Sequence, residues 1–262
     1  MSIPAAGLRL VRALPFRLAC AASRFLVITY LLFNPRARRE IGQNHKRIFG
    51  RSDPGFWFRH AVRLGENIAL MASVGQAGLD NELDNALIDG QNILERIMLG
   101  NAKVVVLSLH YGVWELLPHV FARRGYPVCV GMGSQQDVQL GRELGQLRSG
   151  QRVTFASQVS EMHRALTEKA LVGFALDNTR ASRGVRCDAL WSGFSLLRTP
   201  FALAEAEGAT LVPMLMRKTG PRLTVKIGEP VKTPDEFGAW ARQEILAHPE
   251  EWVFWGKREI RA

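Results

Sequence analysis

The chain has 262 residues, 47% of them hydrophobic and 22% charged. That mixture excludes a mostly disordered chain, a collagen-like rod and a coiled coil, and it can build a sizeable core without staples. Three cysteines, Cys20, Cys129 and Cys187, lie far apart with no CxxC pair, which argues against a disulfide framework or a cysteine-rich zinc site and fits a reducing compartment. The 34 basic and 24 acidic residues leave a net charge of +10. Nearly all of that surplus sits in residues 1–51, where Arg9, Arg12, Arg17, Arg24, Arg36, Arg38, Arg39, Lys46, Arg47 and Arg51 face a single acidic residue, Glu40. The chain therefore divides into a basic amphipathic arm, 1–51, and a nearly neutral body, 52–262. A nucleic-acid enzyme spreads its basic residues through the body as well, so no nucleic-acid partner is expected.

Residues 8–33 have helical apolar spacing with Arg9, Arg12, Arg17 and Arg24 gathered in one sector, and Pro15 should divide the segment. The longest charge-free run is Phe25–Phe33, about 14 Å of helix against about 30 Å of hydrocarbon. The expectation is an arm that lies on a membrane surface, peripheral or shallowly anchored, on the cytoplasmic face of the inner cell membrane.

The body begins with helical spacing over 55–75 and 82–99, with Asp80 or Asn81 as a cap for the second helix and Gly100 just past its end. Lys103–Leu109 is a continuous apolar, β-branched run, as a strand covered on both faces requires. A turn at His110–Gly112 and a helix over 113–124 follow. Further strands are predicted at 127–130, 153–156, 171–176, 210–216 and 222–227, the last two joined by a turn at 219–221. Helices are predicted at 138–147, 160–170, 196–207, 235–247 and 250–259. This alternation implies an α/β fold with a mixed, largely parallel central sheet flanked by helices, preceded by the N-terminal helical arm. Active sites in such sheets lie beyond the carboxyl ends of strands, and two strand ends carry reactive polar groups, His110 and Asp177.

The segment SLHYGVWELLP, 108–118, holds the chemistry. Glu115 falls five residues after His110, in the first turn of the following helix, and Gly112 permits a tight turn between them. A carboxylate there can orient one imidazole nitrogen and leave the other as a proton acceptor, a base lacking only a nucleophile.

HYGVWE resembles the His-x4-Asp/Glu motif of glycerolipid-type acyltransferases, and the segment is similar to the branch holding the late lipid A biosynthesis acyltransferases and the phosphatidylinositol mannoside acyltransferases. Four later segments resemble the same branch in order: LVGFALDN (171–178), LWSG (190–193), ATLVPMLM (209–216) and PEEWVFW (249–255). FSLLRTP after Gly193 and NTRASRG after Asp177 depart from its usual pattern. The resemblance implies a glycerolipid acyltransferase-like fold and a fatty acyl chain passing from acyl carrier protein or acyl-CoA to a hydroxyl or amine of a lipid or amphiphilic acceptor. His110 would be the general base and Glu115 its orienter. Gly112, through nearby backbone N–H groups, Asp177, Asn178, Gly193 and the cations Arg148, Arg180 and Arg198 are candidate substrate contacts. No cofactor or metal is called for, since the six histidines form no HExxH-like pair. Two other readings stand beside this one: a thioester or ester hydrolase with the same pair acting on water, and a non-enzymatic membrane or nucleic-acid binding module.

Overall fold

A computed structural model of the protein describes residues 3–132, 153–179 and 184–256. Helices α1 (Ile3–Ala13) and α2 (Phe16–Phe33) are separated at Pro15, as its missing N–H dictates. The Asn34 side chain accepts the Ala37 N–H at 3.1 Å and so caps α3 (Pro35–Phe49). Helix α2 lies against α4 (Phe56–Ala72) so closely that a Cβ on Gly65 would stand 2.6 Å from the Arg24 Cα. Helix α3 is tied to the rest of the chain by Asn44, whose Nδ2 donates to the Trp255 carbonyl at 2.7 Å, and by the buried His45 ring, 4.1 Å from that of Phe56.

The helix expected over 82–99 is instead α5 (Ala77–Asp84), β1 (Leu87–Asp89) and α6 (Gln91–Leu99). Leu87–Asp89 forms an edge strand of the sheet by pairing with residues 224–226, and Gly90 turns the chain with a φ of +85°. Asp80 and Asn81 thus sit inside α5 and cap nothing, whereas Gly100 does follow the end of α6. Next come β2 (Val104–Ser108), a 3-10 turn at Trp114–Leu116 and α7 (Leu117–Arg123), whose start is delayed to where Pro118 fits the first turn. β3 (Val128–Gly131), β4 (Val153–Ala156), α8 (Val159–Thr167) and β5 (Leu171–Ala175) lie as expected. The helix predicted at 138–147 falls outside the described residues.

A hairpin of β6 (Gly184–Arg186) and β7 (Ser195–Leu197) claims the start of the helix expected at 196–207, so α9 runs Thr199–Glu207 with Pro200 in its first turn. Strands β8 (Thr210–Thr219) and β9 (Arg222–Ile227) precede α10 (Pro234–Ala247). The final helix expected at 250–259 is, over its described part, two 3-10 turns, Pro249–Glu251 and Val253–Gly256, with Trp252 extended between them.

Seven strands form one sheet in the order β1-β9-β8-β2-β5-β3-β4. From β8 to β4 the neighbours are parallel; β9 is antiparallel to β8, and β1 runs with β9. The α/β class with a mixed, mostly parallel sheet flanked by helices is therefore what the chain adopts. Alternation along β2 feeds two cores. Val105, Leu107 and Leu109 join Trp191, Trp252 and Trp255 on one face, and Val104 and Val106 join Leu117, Val120 and Phe121 on the other.

Candidate active site

Strands β2 and β5 pair in a register that sets Val104 opposite Leu171 and Ser108 opposite Ala175. His110 and Asp177 each lie two residues beyond those strand ends, so the pairing brings them together across a separation of 67 residues. The Asp177 side chain is fully buried. It accepts from the His110 ring Nδ1 at 2.7 Å, from the His110 backbone N–H at 3.0 Å and from the Trp252 indole N–H at 2.8 Å. Burial pushes this carboxyl upward, but the adjacent His110 and the donated hydrogen bonds overcome that and hold it below the usual carboxylate range. An ionised carboxylate only accepts, so Nδ1 carries the proton and Nε2 of the neutral ring is the nitrogen able to take one.

The orienting carboxylate is therefore Asp177, not Glu115 as the five-residue spacing implied. The turn after His110 enters a 3-10 segment that carries Glu115 to the wall of a cavity, while the strand register delivers Asp177 to Nδ1. Asp177, expected as a substrate contact, is fully buried and is not among the described residues that line the cavity.

The His110 ring lines a cavity of about 530 Å³ between the sheet and α7. Val106, Val128, Leu171 and Gly173 make it apolar along the strands, and Leu117 and Phe121 along α7. Ser108, Glu115, Ser157 and Asn178 add polar groups. Trp114 and Phe254 flank His110 with ring centroids 5.2 and 5.0 Å away.

The other expected contacts fare unevenly. Asn178 lines the cavity. Gly112 holds the tight turn, with a φ of +57° and room so limited that a Cβ would stand 2.2 Å from the Met216 carbonyl oxygen. Its N–H is spent on the Glu251 carbonyl at 2.9 Å, and those of Tyr111 and Val113 on Leu109 and Met216, so these three N–H groups are not free to be the oxyanion donors expected near Gly112. Gly193 sits in the exposed β6–β7 connection, where its N–H donates to Asp188 at 2.7 Å. Arg198 is exposed before α9 and donates to the Gly184 carbonyl at 3.3 Å; neither residue lines the cavity. Arg148 and Arg180 lie outside the described residues.

Sequence reasoning missed the part played by Trp252. Its segment is fastened along the active turn by Gly112 N–H to Glu251 O, Val253 N–H to His110 O at 3.0 Å, and a bridge between Tyr111 and Trp252. Glu251 is itself buried and accepts from Arg63 Nε at 2.6 Å and Asn67 Nδ2 at 2.8 Å. The usable signal was positional: two apolar strands, each followed at the same offset by a titratable residue.

No protein-family model matches the chain, and no curated protein is significantly similar to it.

Asp177 is held below its unfolded value, so the stability it contributes is complete above the ordinary carboxylate range and is lost as pH falls through the folded value. Trp252→Phe removes one donor and moves the folded value upward. The variant should be less stable by about 1.5–3 kcal/mol at neutral pH, with a smaller difference in acid where both proteins hold Asp177 protonated. Urea unfolding in both ranges checks this.

Proposed function

We propose that the protein is a membrane-associated acyltransferase that moves a fatty acyl chain from an acyl thioester, on acyl carrier protein or CoA, to a hydroxyl or amine of a lipid-like acceptor. The observation that carries the reading is the His110–Asp177 pair beside a largely apolar cavity of about 530 Å³. A base poised by a buried carboxylate suits proton removal from a nucleophile, and a cavity of this size and lining suits an alkyl chain.

In this mechanism the alkyl chain lies along β2, β5 and β3, with the thioester carbonyl near His110. Nε2 takes the acceptor proton as the acceptor oxygen or nitrogen bonds to the carbonyl carbon. The tetrahedral intermediate collapses by breaking the C–S bond, and the imidazolium returns its proton to the departing thiolate. Asp177 keeps Nδ1 protonated and offsets the positive charge of the intermediate imidazolium.

Placement on a membrane is supported by the N-terminal helices. Helix α2 has 18 residues and a mean hydropathy of 1.6, long and apolar enough by length and composition to cross a bilayer. One side is nonetheless occupied by the protein: Ala19, Ser23 and Leu31 are buried, and Arg24 pairs with Glu66 of α4. Its other side exposes Leu18, Phe25, Leu32 and Phe33, next to the exposed Arg36 and Arg39 of α3. A helix fastened this way lies in the interface, with apolar side chains below the headgroups and arginines among the phosphates.

His110→Ala should lower acyl transfer by at least about 10²–10⁴-fold while the protein stays folded, and Asp177→Asn should lower it too. A labelled thioester assay with and without lipid acceptor checks this; equal release of free fatty acid under both conditions would establish a hydrolase instead. Gly173 stands on the cavity wall, and a Cβ there meets only Val106, at 3.8 Å. Gly173→Leu should therefore fill the cavity and shift preference from hexadecanoyl toward octanoyl donors, read from relative kcat/KM. Phe33→Glu should weaken co-sedimentation with anionic vesicles, and high-salt or carbonate washing should release much of the wild-type protein; full retention after both washes would show a spanning helix.

A further inference from the structure

An acyl transfer at His110 develops negative charge on the carbonyl oxygen, and something must donate to it. The backbone of the active turn is already committed: the N–H groups of His110, Tyr111, Gly112 and Val113 go to Asp177, Leu109, Glu251 and Met216. Glu115, when ionised, donates nothing. A side-chain hydroxyl on the cavity wall can supply the donor that these four N–H groups do not.

Ser108 meets that requirement. It is the last residue of β2, two before His110, and follows Val104 and Val106 on the strand face turned toward α7. It lines the same cavity as the histidine, and the residue is only 6% exposed. Its carbonyl accepts the Leu176 N–H at 2.9 Å, but among the described residues its Oγ has no hydrogen-bond partner. A buried hydroxyl in an apolar cavity is costly to leave unsatisfied, so its partner is expected to be a ligand group that enters the cavity. The neighbouring positions on the cavity wall are small, Gly173 and Ala175, so the Oγ, which is itself buried, can be turned into the cavity by a χ1 rotation when a ligand enters.

Resting on the acyltransferase reading, we propose that Ser108 is a catalytic residue whose Oγ–H donates to the carbonyl oxygen of the bound acyl group and strengthens that bond as the oxygen becomes an oxyanion. As the acceptor atom bonds to the carbonyl carbon, the C=O π pair moves onto the oxygen facing Ser108, and it returns when the C–S bond breaks. Ser108 keeps its own proton throughout. Its position explains why a hydroxyl stands where the rest of β2 is valine and leucine.

The test uses the full chain and a ketone analogue of dodecanoyl-CoA, with methylene in place of sulfur and carbon-13 at the carbonyl. In wild type the hydrogen bond should lower the carbonyl stretching frequency. Ser108→Ala should bind the analogue, return the stretch to higher frequency and lower kcat for transfer by about 10²-fold with little change in KM. Ser108→Thr, which keeps a hydroxyl, should recover the lowered frequency. An unchanged stretch and kcat in Ser108→Ala, with wild type active, would overturn the assignment while leaving the acyltransferase reading intact. An acyl ester trapped on Ser108 and found by mass spectrometry would overturn it too, by making the serine a nucleophile. Failure of wild type both to bind the analogue and to transfer acyl groups would bring down the underlying reading and this proposal with it.

Discussion

One buried carboxylate organises this molecule. Asp177 has no contact with water, and a charge so enclosed is tolerated only when its oxygens are fully engaged. Its donors come from places far apart in the chain: the turn after β2 gives two, and the C-terminal segment gives the Trp252 indole. Satisfying Asp177 therefore requires β2 and β5 in register and residues 249–255 laid along the His110 turn. That segment is held in turn by the buried Glu251, anchored on Arg63 and Asn67 of α4. A run of polar contacts thus passes from α4 to the imidazole.

The two faces of the sheet do different work around that centre. On the Trp252 side the space is filled by large rings: Trp191, Trp252 and Trp255 are buried together, with Trp252 and Trp255 centroids 5.3 Å apart and edge to face. On the α7 side the strands present Ser108, Gly173 and Ala175 near their carboxyl ends, and these small residues leave a cavity where rings would otherwise meet. Gly131 is needed for close packing on the opposite face, since a Cβ there would lie 2.2 Å from the Phe174 ring. Rigidity on one side and space on the other are what a positioned base and a bound chain would each require.

The N-terminal helices connect this centre to the surface. Helix α3 grips the last turn through Asn44 and His45, and Phe254 of that turn touches the His110 ring on its other side. The basic, apolar stretch is therefore packed into the structure that holds the histidine, and a surface that engages α2 and α3 would lie beside the segment covering the site.

The α/β alternation, the Gly112 turn, the position of His110 after a buried strand and the basic apolar N-terminus were all legible in the sequence. Each depends on periodicity or on a residue's own backbone preference, which neighbours in the chain determine. The strand β1 was not legible, because three residues become a strand only when β9 is present to pair with them. Nor was the choice of carboxylate. Glu115 is near His110 in the chain, but Asp177 reaches Nδ1 across 67 residues, because parallel register sets which strand ends meet and no local pattern encodes register. The same holds for the N–H groups around Gly112, which looked available in the sequence and are consumed by Glu251 and Met216 in the fold. Residue types and local geometry belonged to the sequence; hydrogen-bond partners and the cavity were decided by tertiary structure, since both arise from segments that meet only after the sheet has formed.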